Sequence, residues 1–194
     1  QLDHLTRYPD ANGFELKAAI AKKFGVQPNQ ITLGNGSNDL LELFAHTFAG
    51  EHDEVIYSQY AFIVYPLVTK AINAVAKEIP AKDWGHDLNG FLTALSDKTK
   101  LIFIANPNNP TGNFLTEAEL DAFLAKVPES VIVVLDEAYT EFTHPSERVN
   151  SFALLDKYPN LIVSRSLSKA YGLAGLRIGY AVSNPEITDL LNRV

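Results

Sequence analysis

Lys169, Asp136 and Asn109 are the residues of this sequence whose types and settings suit covalent chemistry. Lys169 follows two hydroxyl side chains, Ser166 and Ser168, and precedes a small, glycine-punctuated segment, Gly172 to Gly175, that runs on to Arg177. An amine that condenses with an aldehyde must be held partly desolvated, so that its neutral form is accessible near neutral pH. The small residues around Lys169 would let a flat ring come close. A lysine in a serine-rich loop beside a strand explains the same residues without any chemistry, so the case depends on what else the chain delivers to that place.

Three apolar runs decide the delivery. Leu101 to Ala105 ends in the turn Asn106 to Gly112, where two prolines and a glycine hold Asn109. Val131 to Leu135 ends in Asp136 and, three residues on, Tyr139. Leu161 to Val163 leads to Ser166, Ser168 and Lys169, and later to Arg177. Runs apolar at every position predict parallel strands buried on both faces.

Further strands are expected over 31–33, 54–58 and 74–80, and over 178–182 in either orientation. Helices are expected over 14–24, 40–48, 88–95 and 117–126. The last is announced by the capping box Thr116 and Glu119. Another helix should start at Gln59, with Tyr60 near its entrance, and 185–194 has a helical pattern. The alternation predicts an α/β fold, three layers (αβα) around a mostly parallel central sheet, with ligands gathered beyond the carboxyl ends of the strands.

The stretch Gly34 to Asp39 adds a strand, a Gly-x-Gly turn and a helix start carrying Ser37 and Asn38. Exposed backbone N–H groups there would suit a phosphate. A capped helix after a tight turn fits the same residues. The third glycine of a dinucleotide fingerprint and the Gly-Lys-Ser/Thr of a P-loop are both missing.

Composition removes several classes of function. The 194 residues carry a formal charge of −7 and no long basic run, which argues against a nucleic-acid partner. With no cysteine and five scattered histidines, neither a disulfide framework nor a thiolate or histidine-built metal site is expected. No apolar stretch reaches the ~18 residues of a membrane span. The chain opens on Gln1, has no methionine and stops at Val194 inside a helical pattern, so a fragment of a longer protein is expected.

A lysine, a carboxylate and phosphate-binding groups on one sheet edge describe a pyridoxal phosphate site. Lys169 would hold the aldehyde as an imine, and Asp136 would keep the ring nitrogen protonated. Asn109 and Tyr139 could bond the ring hydroxyl. Ser166, Ser168 and Arg177, with Ser37 and Asn38, would take the phosphate.

Arg7 to Asp10, Gly34 to Asp39, Asn106 to Gly112, Asp136 to Tyr139 and Ser166 to Arg177 occur in the order and spacing of a known family. Through them the sequence resembles the fold-type-I pyridoxal-phosphate aminotransferases, and most of all the histidinol-phosphate aminotransferases. The resemblance implies amino transfer between L-histidinol phosphate and 2-oxoglutarate in histidine biosynthesis, in a cytoplasmic homodimer. Under it Lys169 also shuttles the substrate α-proton, Tyr60 stacks on the cofactor ring, and Tyr8 reaches the phosphate of the neighbouring subunit. Residues 1–194 would be most of the large cofactor domain, without the family's preceding N-terminal segment and following small domain. Aromatic amino acids or, with decarboxylation, threonine phosphate are the alternative substrates. A cofactor-binding or dimerising fragment without catalysis is the alternative of another class.

Overall fold

In a computed structural model, which describes residues 6–194, seven strands make one sheet. They are β1 (Ile31–Gly34), β2 (Glu54–Ser58), β3 (Val75–Ile79), β4 (Thr99–Ala105), β5 (Ile132–Asp136), β6 (Leu161–Ser166) and β7 (Gly179–Ser183). Their order across the sheet is β1-β7-β6-β5-β4-β2-β3. β3, β2, β4, β5 and β6 run parallel, while β7 is antiparallel to both of its neighbours, β6 and β1. The mostly parallel sheet is therefore as expected, and the open orientation of the 178–182 strand resolves as antiparallel.

The helices are α1 (Phe14–Phe24), α2 (Ser37–Phe48), α3 (Val64–Ala71), α4 (Leu88–Ala94), α5 (Glu117–Leu124), α6 (Ser151–Leu154) and α7 (Pro185–Leu191). Two apolar cores, one on each side of the sheet, make the three layers. Leu40, Leu41 and Phe44 of α2, Tyr65 and Val68 of α3, and Ile187 and Leu191 of α7 pack on one face. Ile20 of α1, Phe91 of α4, Leu120 and Phe123 of α5, and Leu154 of α6 pack on the other.

The central strands divide their side chains between these cores with a period of two, because successive Cβ atoms leave a strand on opposite faces. On β4, Leu101, Phe103 and Ala105 join the α2/α3 core, and Ile102 and Ile104 the α1/α5 core. On β5, Val134 goes to the first, and Val133 and Leu135 to the second. Burial on both faces explains why these strands are apolar at every position. The same parity fixes which way the residues after them must point.

β6 runs three residues further than its apolar run. Ser164, Arg165 and Ser166 remain in the strand because β7 pairs back along it, Ser164 opposite Ala181 and Ser166 opposite Gly179. α3 begins only at Val64, leaving Tyr60 in the preceding turn. That segment is held out of helix by its own backbone bonds: Gln59 N–H donates to the Ile79 carbonyl, and the Tyr60 carbonyl accepts from the Asn108 amide at 2.9 Å.

Candidate active site

The parity of β5 and β6 sends Asp136 and Ser166 toward the α2/α3 side, and Glu137 and Arg165 toward the α1/α6 side. On the first side lies a narrow cavity of about 50 Å³ lined by Asp136, Lys169, Asn109, Tyr139, Ser37 and Asn38, with Tyr65 and Phe62 from the α3 region. Six residues named from the sequence thus meet in one place, drawn from the ends of three parallel strands and the start of α2. A wider groove of about 480 Å³ shares Pro107, Asn109 and Tyr139 with it.

Asp136 is buried, and its carboxylate is fixed from two directions. The Tyr65 hydroxyl donates to Oδ2 at 2.9 Å and the Ala138 N–H to Oδ1 at 3.2 Å. Burial pushes the Asp136 carboxyl above its ordinary value, against those two hydrogen bonds and the more distant charge of Lys169. No ion pair to Asp136 is formed among the described residues. Beside it, the Asn109 amide donates to the Tyr139 hydroxyl at 3.4 Å, and Lys169 Nζ stands 5.3 Å from the centre of the Tyr139 ring.

The five residues assigned to a phosphate gather at the start of α2. Gly36 precedes the helix at φ 90°, and the first amides of α2 receive no side-chain cap at that position. The Arg177 guanidinium donates to the carbonyls of Asn35 and Ala174, each at 3.2 Å, and lies so close that a Cβ on Gly36 would strike it. Gly179 brings β7 against the same turn: a Cβ there would sit 2.5 Å from the Ser37 nitrogen. Ser166 faces Gly179 across the sheet, and its hydroxyl accepts from Ser168 N–H at 3.1 Å. Backbone N–H groups at a helix start with an arginine beside them form an anion cradle.

The sequence profile of the aminotransferase class I and II family matches residues 2–194. The chain belongs to that family. It is 87% identical over its whole length to histidinol-phosphate aminotransferase 2 of Haemophilus influenzae (strain 86-028NP), and spans 53% of that protein. The histidinol-phosphate aminotransferase of Sinorhizobium meliloti, solved in complex with pyridoxal-5'-phosphate, superposes with a TM-score of 0.95 at 31% identity, over 100% of this chain and 52% of the other. The L-threonine-O-3-phosphate decarboxylase of Porphyromonas gingivalis superposes at 0.84 and 27% identity, over 99% and 58%. The chain spans about half the length of the curated relatives it matches.

Within this class I and II chain, two residues, Lys169 and Tyr60, stand apart from what the sequence led us to expect. Lys169 is exposed rather than partly desolvated, although its Nζ stands beside the Tyr139 ring on the cavity rim. Tyr60 is not on the cavity wall; its ring stacks on Trp84 with centroids 5.1 Å apart, and Phe62 and Tyr65 take the wall positions. Tyr8 is fully exposed and touches none of the cavity residues. The other eight positions read from the sequence lie on the cavity wall or in the anion cradle.

Sequence reasoning missed Tyr65 and the pair Glu137 and Arg165. Tyr65 sits in an ordinary apolar helix start, and nothing in its neighbours signals a polar partner 71 positions away. Glu137 Oε2 accepts from Arg165 Nε at 2.9 Å and Nη2 at 2.8 Å, and from the Ser151 hydroxyl at 2.9 Å. The arginine is also stacked 4.4 Å from the Phe152 ring centre and 5.1 Å from that of Phe24. Burial pushes Glu137 up against the pull of Arg165. Burial draws Arg165 down, yet Glu137 facing it leaves the guanidinium above its ordinary value and firmly charged.

Proposed function

We propose that the protein containing this chain is a pyridoxal-phosphate-dependent aminotransferase that moves the amino group between L-histidinol phosphate and 2-oxoglutarate. One observation carries the cofactor reading: a buried, doubly hydrogen-bonded carboxylate without a partner cation among the described residues forms the wall of a cavity whose rim is a lysine. Burying a carboxylate without a countercharge is costly, and a protonated ring nitrogen of a ligand is the missing charge. The donor set fits the rest of pyridoxal phosphate as well, an amide and a phenol side by side for its ring hydroxyl and an arginine at a helix start for its phosphate.

When bound, this cofactor supplies an aldehyde that condenses with amines and an electron-poor ring that accepts the electron pair left when a Cα–H bond breaks. The chain's own residues then have separate duties. Asp136 holds a proton on the ring nitrogen; Asn109 and Tyr139 orient the ring through its hydroxyl; Ser37, Asn38, Ser166, Ser168 and Arg177 anchor the phosphate. Lys169 Nζ would hold the cofactor by condensing with its aldehyde, with loss of the carbonyl oxygen as water, and, when free, would move a proton at the substrate α-carbon.

The substrate is supported by the high identity to histidinol-phosphate aminotransferases across the whole chain. The test is glutamate-dependent amination of imidazole-acetol phosphate by the full-length protein, run beside threonine phosphate and aromatic amino acids. Absence of turnover with the imidazole substrate, or a preference for either of the others, removes this assignment.

Residues 1–194 are, in this reading, the cofactor-binding large domain of a cytoplasmic homodimer. No helix among the described residues is long and apolar enough to cross a membrane. Tyr8, free of contacts with its own cavity, is then available to the phosphate of the neighbouring subunit, while Tyr60 would stack on the ring of its own site by leaving Trp84. Sedimentation of the full-length protein should give a dimer. Mixed dimers of Tyr8→Phe and Lys169→Ala subunits should show whether Tyr8 acts across the interface.

A further inference from the structure

We infer that Tyr65 is the positioning residue of the cofactor site: its hydroxyl fixes the Asp136 carboxylate, ionised and correctly turned, for the ring nitrogen of the cofactor. The inference rests on the pyridoxal phosphate reading above and adds a residue to it that is buried in the core.

The ring of Tyr65 has no freedom to swing. It is fully buried, stacked on Phe103 of β4 with centroids 4.7 Å apart and planes at 4°, and met edge-on by Phe62 at 6.0 Å and 86°. The Thr69 hydroxyl donates to the Tyr65 carbonyl at 2.8 Å, closing the first turn of α3 around it. The hydroxyl is therefore delivered to one point, 2.9 Å from Asp136 Oδ2. A phenylalanine would fill the same volume and stack equally well, so the packing of this core does not call for an oxygen.

The hydroxyl changes the carboxylate in two ways. A hydrogen bond donated to the charged form favours that form, which opposes the burial that favours the neutral acid. With the Ala138 N–H on Oδ1, it also pins the carboxylate plane from both ends. Each carboxylate oxygen can accept more than one hydrogen bond, so capacity is left for one more donor from the cavity. Without Tyr65, the buried acid would more often be neutral and free to turn, and a neutral acid does not stabilise a protonated ring nitrogen.

The test uses the full-length protein and two readouts that a merely structural role would leave alone. These are the dissociation constant for pyridoxal phosphate and the pH midpoint at which the absorption band of the bound cofactor titrates. Tyr65→Phe should weaken cofactor binding about tenfold, the size expected for a hydrogen bond to a charged group. It should also move the spectroscopic midpoint to higher pH, since a less protonated ring withdraws less charge from the lysine nitrogen. In an Asp136→Asn background the same substitution should change neither readout further. A Tyr65→Phe protein that melts earlier but keeps the wild-type dissociation constant and midpoint overturns the inference, as does an undiminished effect in the Asp136→Asn background. Failure of the wild-type protein to bind the cofactor overturns the underlying reading instead.

Discussion

Asp136 and Glu137 are consecutive buried carboxylates at the end of one strand, and the fold treats them in opposite ways. Glu137 meets an arginine, through Nε and Nη2, and a serine hydroxyl, all at Oε2, so its charge is matched inside the protein. Asp136 receives a phenol and one backbone amide, and its nearest cation is a lysine at the rim of a cavity. The carboxylate neutralised within the chain ties β5 to β6 and α6. The one left short of charge faces the place where a ligand can supply it. A buried charge is thus informative less for being buried than for what has been withheld from it.

That contrast predicts loss of function without loss of stability on one side, and the reverse on the other. The largest effect belongs to Lys169→Ala, which should lower turnover of the full-length enzyme by roughly four orders of magnitude or more. The melting temperature of the cofactor-free protein should stay near that of the wild type, because the lysine is exposed. Steady-state assay and thermal denaturation together check it. An unfolded variant would move Lys169 to the structural side of the comparison.

Asp136→Asn separates the two roles within a single residue. Because the folded-state value of this carboxyl is raised, the cofactor-free protein loses stability as pH climbs from the unfolded carboxylate value through the folded one. The amide removes that loss. The variant should therefore melt at or above the wild-type temperature at neutral pH without cofactor, while binding pyridoxal phosphate at least about tenfold more weakly. Calorimetry and spectroscopic titration are the measurements, and a variant that is both less stable and unchanged in binding would invert the comparison.

Arg165→Met probes the matched carboxylate. Leaving Glu137 buried without its partner should cost about 3–5 kcal/mol in chemical denaturation, and converting Glu137 to Gln in the same protein should restore a good part of it. The pH dependence has a definite sign. Without Arg165 the value of Glu137 rises further, so the deficit relative to wild type should be largest at neutral pH and shrink toward acid, where the carboxyl is protonated in both states. Cofactor affinity, measured on folded protein, should change less than in Asp136→Asn.

The smallest effect is expected from Ser151→Ala, which removes one donor to Glu137 Oε2 and leaves the arginine in place. A loss of about 1 kcal/mol by denaturation, with unchanged cofactor binding, would place Ser151 in the same structural cluster.

Much of the fold and of the site was legible in the amino-acid order. Strands buried on both faces announce themselves as unbroken apolar runs, and the residues that follow each run must lie at one sheet edge. Asn109, Asp136, Tyr139 and Lys169 were readable for that reason, and Thr116 with Glu119 for the local geometry of a helix start. The helix expected from Gln59 begins only at Val64, because the backbone of Gln59 and Tyr60 is held by the distant Ile79 and Asn108, which no local signal reports.

By itself, the sequence determined the layers, the strands that end in chemistry and the residue types at those ends, since local propensity and hydrophobic period depend only on near neighbours. The tertiary structure alone decided that β7 returns antiparallel and prolongs β6, that Arg177 stands at the start of α2, and that the two neighbouring carboxylates meet different partners. Those outcomes depend on side chains brought together from 28 and 71 positions away, and on strand parity, which turns adjacent residues toward opposite cores. Proximity of that kind is a property of the folded sheet, and Asp136 acquires its distinct character only there.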